Sequence, residues 1–238
     1  MVIAIKEFKF RSRTIPLKVS EDELFMPNAV TREFAKVVDI SPGNIVFDIG
    51  SGVGPLAIWA AQEPSKHVYA VEIVGAQYIL LQENIENNGV AHKVSAYQGR
   101  FFEPIPPEIK ADVIIADVSG IAEGPARALK WYPPEIPTGG EDGTEMIIPL
   151  LEQAGTYLAQ GGRVYFPVAI DLSDSKKIMK VAEARFGRLE EMVEPNFTLT
   201  EEQVLSLKPF ESLPYVNIGT KGSRSIWRGA IYKATNPI

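Results

Sequence analysis

The sequence predicts an α/β protein: a doubly wound, mostly parallel sheet with an antiparallel last strand, plus a small N-terminal β-hairpin. Three observations predict it. From residue 45 onward, short β-rich runs alternate with stretches of helical periodicity, the pattern of strands joined by crossover helices. Runs such as Val113-Ile-Ile-Ala116 are continuously apolar, as strands covered on both faces are. A glycine-rich turn joins the first of these strands to its helix.

The elements follow in order. Residues 2–10 and 14–19 are β-rich and flank Arg11-Ser12-Arg13, which predicts the hairpin. Lys6, Lys9, Arg11, Arg13 and Lys18 give it a basic edge, suited to protecting a sheet edge or to guiding a substrate. After Asn28, apolar residues at 30, 34, 35, 37 and 38 recur at helical spacing until Ser41-Pro42-Gly43-Asn44 breaks the helix. Strand 45–49 then leads to helix 55–62, and strand 68–73 to helix 75–87, closed by Asn88-Gly89. Strands 93–97 and 112–117 come next. Helix 144–158, strand 163–168 and helix 173–185 complete the alternation. A last strand, 225–233, is expected to pair antiparallel with 188–193. Segments 119–143 and 195–222 read as long insertions, which in a compact domain usually carry function. This divides the chain into a hairpin extension, 1–26, and a main domain, 27–238.

Composition narrows the chemistry. Hydrophobic residues make up 45% and charged residues 23%, ordinary for one buried core. No apolar run approaches the ~18 residues a membrane span needs, so no membrane partner is expected. The start is too charged for a secretory signal, and a cytoplasmic location is expected. The absence of cysteine excludes disulfides, thiolate metal sites and cysteine nucleophiles. His67 and His92 lie far in sequence from any acidic cluster, so neither a metal site nor a His-based triad is expected. A net charge of −6 disfavours a large nucleic-acid footprint.

The segment Asp48-Ile-Gly50-Ser51-Gly52-Val-Gly54-Pro55 carries the chemistry. Glycines at every second position let the backbone turn sharply and let a ligand approach its amides. The helix behind them offers free N–H groups, and proline suits its first position. The dinucleotide pattern G-x-G-x-x-G would need a third glycine at position 55, which is Pro55. A carboxylate at 48 would repel a pyrophosphate but suits an ammonium group. S-adenosylmethionine (SAM) has an ammonium and a sulfonium, and no phosphate. Glu72 ends the next strand, where a carboxylate can accept both hydroxyls of a ribose.

These residues resemble class I SAM-dependent methyltransferases, which are Rossmann-like. Asp48 to Gly54 looks like their motif I and Glu72 like the acid of motif II. The resemblance, which covers roughly 27–168, implies a SAM cofactor held by Asp48, Gly50, Ser51, Gly52, Gly54, Glu72 and the adjacent Ile73. Gly99-Arg100-Phe101 looks like motif III, implying adenine contacts there, although Arg100 stands where an accepting Asp is common. Phe25 to Thr31 and Gly139-Gly140-Glu141-Asp142-Gly143 resemble segments of the release-factor glutamine and small-domain RNA methyltransferases. Their Asn-Pro-Pro-Tyr motif is replaced by Asp117-Val118-Ser119-Gly120, so their acceptor specificity is not implied.

Asp117 closes a strand at the carboxyl edge of the sheet, where ligands bind. Asp117 and Ser119 are the candidate catalytic residues, Asp117 also lying beside the sulfonium. Trp131, Tyr132, Pro133 and Pro134 are placed to cover an acceptor, or else to pack their own loop. The expected function is methyl transfer to nitrogen or oxygen of an RNA, a protein or a small molecule. A non-catalytic SAM-binding regulatory or scaffold subunit is the alternative, and a nicotinamide-dependent oxidoreductase is disfavoured by Asp48 and Pro55.

Overall fold

The structure is a computed structural model that describes residues 3–10, 13–20 and 29–238. Of the predicted features, Arg11 and the segment 25–28 lie outside the described residues. The hairpin comprises β1 (Ile3–Phe10) and β2 (Arg13–Ser20), and α1 (Ala29–Val37) follows. Then come β3 (Ile45–Ile49), α2 (Pro55–Gln62), β4 (His67–Glu72), α3 (Gly75–Asn87), β5 (Val94–Gln98) and β6 (Ala111–Ala116). The second half holds α4 (Glu123–Ala128), α5 (Ile147–Tyr157), β7 (Leu158–Val168), α6 (Ser175–Arg185), β8 (Phe186–Val193), β9 (Asn196–Thr198), α7 (Glu201–Leu207), β10 (Gly219–Lys221), β11 (Arg224–Arg228) and β12 (Ala230–Pro237).

A seven-stranded sheet runs β5-β4-β3-β6-β7-β12-β8. Strands β3 to β7 pair in parallel, and β12 enters antiparallel between β7 and β8. The predicted fold class is thus the one observed. Chain order reverses between β3 and β6, the switch point where open α/β sheets bind ligands beyond the carboxyl ends of their strands. Register places Asp48 opposite Ala70 on one side and Ile115 on the other, which brings Gly50 and Asp117 to the same edge.

Two hydrophobic clusters lie on opposite faces of the sheet. One is organised around α2, whose residues from Pro55 to Ala61 are all buried. A helix apolar all round must be enclosed, and α1, α3, β2 and the sheet enclose it. Ile15 and Leu17 of the hairpin are fully buried in this same cluster. The hairpin's basic edge is in part spent on this docking. Lys18 pairs with Glu83 of α3 at 2.8 Å, and Arg13 with Glu63 at 3.2 Å.

Asn84 fixes the arrangement. Fully buried on α3, it accepts from the Lys18 N–H at 2.7 Å. Its amide donates to the carbonyls of Lys18 and Val53, at 3.0 and 2.9 Å. One side chain therefore ties the hairpin to the glycine-rich turn.

Three expectations need correction. The segment 119–143 is not all loop, because it contains α4. The segment 195–222 contributes β9, α7 and β10, and β10-β11-β9 form a separate three-stranded sheet. The single strand expected over 225–233 is two strands. It breaks at Gly229, where the chain passes from the small sheet into the main one, and only β12 pairs with β8. Among the described residues no helix is long and apolar enough to cross a membrane.

Replacing Asn84 by Ala leaves several buried backbone groups without a partner. The expected loss is about 2–4 kcal/mol of unfolding free energy, measured by denaturant titration. A loss under about 0.5 kcal/mol, the scale of a surface substitution, would show that the hairpin docks without it.

Candidate active site

The glycine-rich turn needs its glycines for two reasons. Gly50, Gly52 and Gly54 all have positive φ, at 78°, 54° and 97°. A Cβ on Gly54 would also lie 2.6 Å from Leu81 Cδ1, and one on Gly50 3.0 Å from Val118 Cγ1. Gly54 caps α2 without a side-chain bond and Pro55 occupies the first turn, so the helix start is bare backbone. The turn is clipped to the neighbouring strand, with the amides of Gly50 and Ser51 donating to the Val71 carbonyl at 2.9 and 3.0 Å. The Ser51 hydroxyl donates to the Asp48 main-chain carbonyl at 2.8 Å.

Asp48 sits beneath this turn, fully buried, and neither of its carboxyl oxygens has a hydrogen-bond partner. Burial pushes its pKa up to about 7, and the charges of Asp117 and Glu72 add to the rise. The Ser51 hydroxyl and the Ala57 amide offset part of it, although neither meets hydrogen-bond geometry at the carboxyl.

Glu72, at the end of β4, is also buried. Its Oε2 accepts from the Gly52 N–H at 2.8 Å and its Oε1 from the Val74 N–H at 2.7 Å. Burial raises its pKa, and these amides oppose the rise. The bonds fix the carboxylate across the turn and leave one lone-pair site on each oxygen.

Ile73 beside it is 41% exposed, an apolar shelf at the mouth. Gly99 is held to Glu72 through its N–H, at 3.0 Å from the carbonyl. Phe101 is buried, with φ at 50°, and the Arg100 guanidinium lies 4.9 Å over its ring. Of the motif III residues, Arg100 thus covers Phe101, and the open surface is that of Ile73.

Asp117 is partly buried at the end of β6 and accepts from the Thr31 hydroxyl of α1 at 2.6 Å. Burial pushes its pKa up to about 6, against the Thr31 bond. Asp117 lies on the wall of two hollows. The smaller is lined by Thr31, Asp48, the turn from Gly50 to Val53, Pro55 and Leu56. The larger, about 430 Å³, opens on its other side.

The larger hollow is mostly apolar and aromatic, with Trp131, Tyr132, Phe197 and Trp227 on its walls. Phe197 and Trp227 stack at 4.5 Å, and Trp131 tilts against Trp227 at 5.6 Å. Buried Asp171 locks this wall by binding Arg228, which follows Trp227, through its backbone N–H and guanidinium at 2.8–3.0 Å.

The predicted residues divide accordingly. Asp48, the glycine turn and Asp117 meet at one hollow, with Glu72 bonded to its rim. The Ser119 hydroxyl is committed to the Pro137 carbonyl at 2.6 Å and holds its own loop. Trp131 and Tyr132 do face the larger hollow. The segment Gly139 to Gly143 is a structural hub, where backbone groups join Ile121, Glu123, Asp174 and Tyr215. His67 bonds Ser95 at the opposite end of β4. Sequence reasoning missed Thr31, Asn84, Phe197 and Trp227. An interrupted aromatic pair so far along the chain gives no local signal of where it packs.

Comparison with known proteins agrees with this geometry. Residues 12–124 match the family described as the TRM5/TYW2 methyltransferase domain. The histone-arginine methyltransferase CARMER of Drosophila ananassae is 38% identical over 108 residues, covering 41% of this chain and 20% of that protein. Among solved structures, the M. jannaschii tRNA m1G37 methyltransferase superposes with a TM-score of 0.59 at 15% identity, covering 98% of this chain and 55% of that one. The T. thermophilus 16S rRNA N2 G1207 methyltransferase, solved with AdoMet and guanosine, gives 0.59 at 16%, covering 99% and 51%. The chain thus spans about a fifth of the curated relatives it matches and about half of these structures. Over residues 12–124 the chain is thus similar to a methyltransferase domain, and it shares the fold of these methyltransferase structures.

The linkage of Asp48 has a definite sign. Its folded pKa, about 7, lies above the ordinary 3.8, so the folded state holds the extra proton between these values. Stability of the ligand-free protein should fall as pH rises through that window, and Asp48→Asn should remove the fall. At pH 8 the variant is expected to be the more stable by on the order of 1–4 kcal/mol, read from denaturant midpoints. Equal pH profiles for the two proteins would contradict the burial of an unpaired carboxylate.

Proposed function

We propose that this protein is a SAM-dependent methyltransferase, acting in the cytoplasm, that carries a methyl group from the hollow over Asp48 to a nitrogen or oxygen in the larger hollow. The observation that supports it most is the position of Asp117, on the wall between the two.

The residues present fit the cofactor. A buried carboxylate without a partner is unfavourable until a cation reaches it, and SAM carries two positive groups. Asp48 would face its charged methionine end, the turn from Gly50 to Gly54 would lie along it, and Glu72 would take the ribose hydroxyls through its remaining lone pairs. Ile73, with Gly99 to Phe101 behind it, would support the adenine side. When bound, SAM would supply an electrophilic methyl group on sulfur, open to a lone pair of the acceptor.

The protein's own task is then to position and to desolvate. Thr31 fixes the Asp117 carboxylate at the boundary, where it can orient an acceptor N–H or O–H and take its proton. Ser119 keeps the following strand-to-loop turn in place. The aromatic wall excludes water from the acceptor side.

SAM and S-adenosylhomocysteine should both raise the melting temperature, while NAD should not. A response to NAD with none to SAM would sink the proposal. Glu72→Gln should weaken S-adenosylhomocysteine binding by about tenfold to a hundredfold in calorimetry, with the fold retained. SAM affinity should fall as pH drops from 8 to 5, because Asp48 and Asp117 take up protons near 7 and 6. S-adenosylhomocysteine, which lacks the sulfonium charge, should show a shallower decline. A pH-independent SAM affinity would remove Asp48 from the binding account.

A further inference from the structure

We infer that the larger hollow takes a small organic amine carried on a flat apolar body, with its nitrogen at Asp117 and its ring among Trp131, Phe197 and Trp227. The inference rests on the methyltransferase reading above and names the acceptor class for that same site.

Size is the first ground. About 430 Å³ lies within the range of small-molecule sites and holds a bicyclic ring with a short side chain. The walls are the second. Four aromatic side chains line the hollow, two of them stacked on one another, so they offer ring faces to a flat group. Charge is the third. The Asp and Glu side chains on these walls are Asp117 and Glu33, and the cation is Lys130, which is exposed at the rim. Glu33 is already paired with Lys36 at 2.6 Å, whereas no lysine or arginine among the described residues pairs with Asp117. Ring faces and a carboxylate whose described partner is the neutral Thr31 hydroxyl together recognise an ammonium group. A phosphate-bearing acceptor would meet the Asp117 carboxylate here, which disfavours an RNA strand.

The same burial prepares the amine to react. Desolvation lowers the pKa of an ammonium and raises that of a carboxylic acid, so a proton moves from the ammonium nitrogen to an Asp117 oxygen. The freed lone pair forms the N–C bond to the methyl carbon, and the C–S bond breaks with its electrons left on sulfur. The methylated amine leaves carrying the positive charge, and Asp117 later returns its proton to water.

The test is calorimetric binding to the protein saturated with S-adenosylhomocysteine. The probes are tryptamine, its alcohol analogue indole-3-ethanol, and indole-3-acetate. Tryptamine should bind about tenfold or more tightly than the alcohol, and the acetate not measurably. Asp117→Asn should remove most of the advantage of tryptamine over the alcohol. Trp227→Phe should weaken both indoles equally, and the circular dichroism and thermal unfolding of each variant report that it is folded. If S-adenosylhomocysteine binds but amine and alcohol bind alike, the inference is overturned and the methyltransferase reading stands. So too if neither indole binds while transfer RNA does. If S-adenosylhomocysteine itself fails to bind, the underlying reading falls and the inference with it.

Discussion

The structure is organised around one unfavourable group, the buried carboxylate of Asp48. It lies at the end of the central strand β3, with no hydrogen-bond partner at either oxygen. Burying a charge without a partner costs several kcal/mol, so the group holds its proton far above the usual carboxylate range. Such a cost persists only where the surroundings leave the side chain no alternative. The glycine turn above it, the fully buried α2 behind it and the strands β4 and β6 on either side provide that enclosure.

The enclosure extends further than the turn itself. Asn84 joins the turn's Val53 carbonyl to the hairpin, and Leu17 and Ile15 anchor the hairpin in the α2 core. On the other side, Thr31 joins α1 to Asp117. Two polar side chains, from helices distant in sequence, thereby hold both edges of the hollow over Asp48. The larger, aromatic hollow depends on a different lock. The Asp171–Arg228 pair fixes the bend between β11 and β12, and with it the ring of Trp227. The two halves of the site are stabilised separately and meet at Asp117.

Much of the first half was legible in the sequence because its signals are local. Glycines at 50, 52 and 54, a proline at 55 and acids at 48 and 72 lie within two strand–helix units, where periodicity and turn chemistry fix their positions. The strands and helices from 45 to 98 accordingly fall within a residue of expectation. The aromatic hollow was not legible, because it depends on pairing between segments far apart. Alternation over 225–233 looks like one strand, and nothing local reveals that its partner changes at Gly229. Nothing in the sequence around Ser119 signals that its hydroxyl donates to the Pro137 carbonyl, 18 residues on. Thr31 could not be assigned a role from its own helix, since its partner lies 86 residues away.

The protonation of Asp48 is therefore the decisive property of the site. Calorimetry of SAM binding at pH 6, repeated in buffers of different ionisation enthalpy, measures the protons exchanged. A carboxyl with a pKa about 7 is mostly protonated there in the free protein and must ionise to meet a cation. Net proton release on SAM binding is predicted, and its loss in Asp48→Asn. Binding without proton exchange, or with uptake, would contradict the claim that the cofactor's positive charge compensates this buried acid.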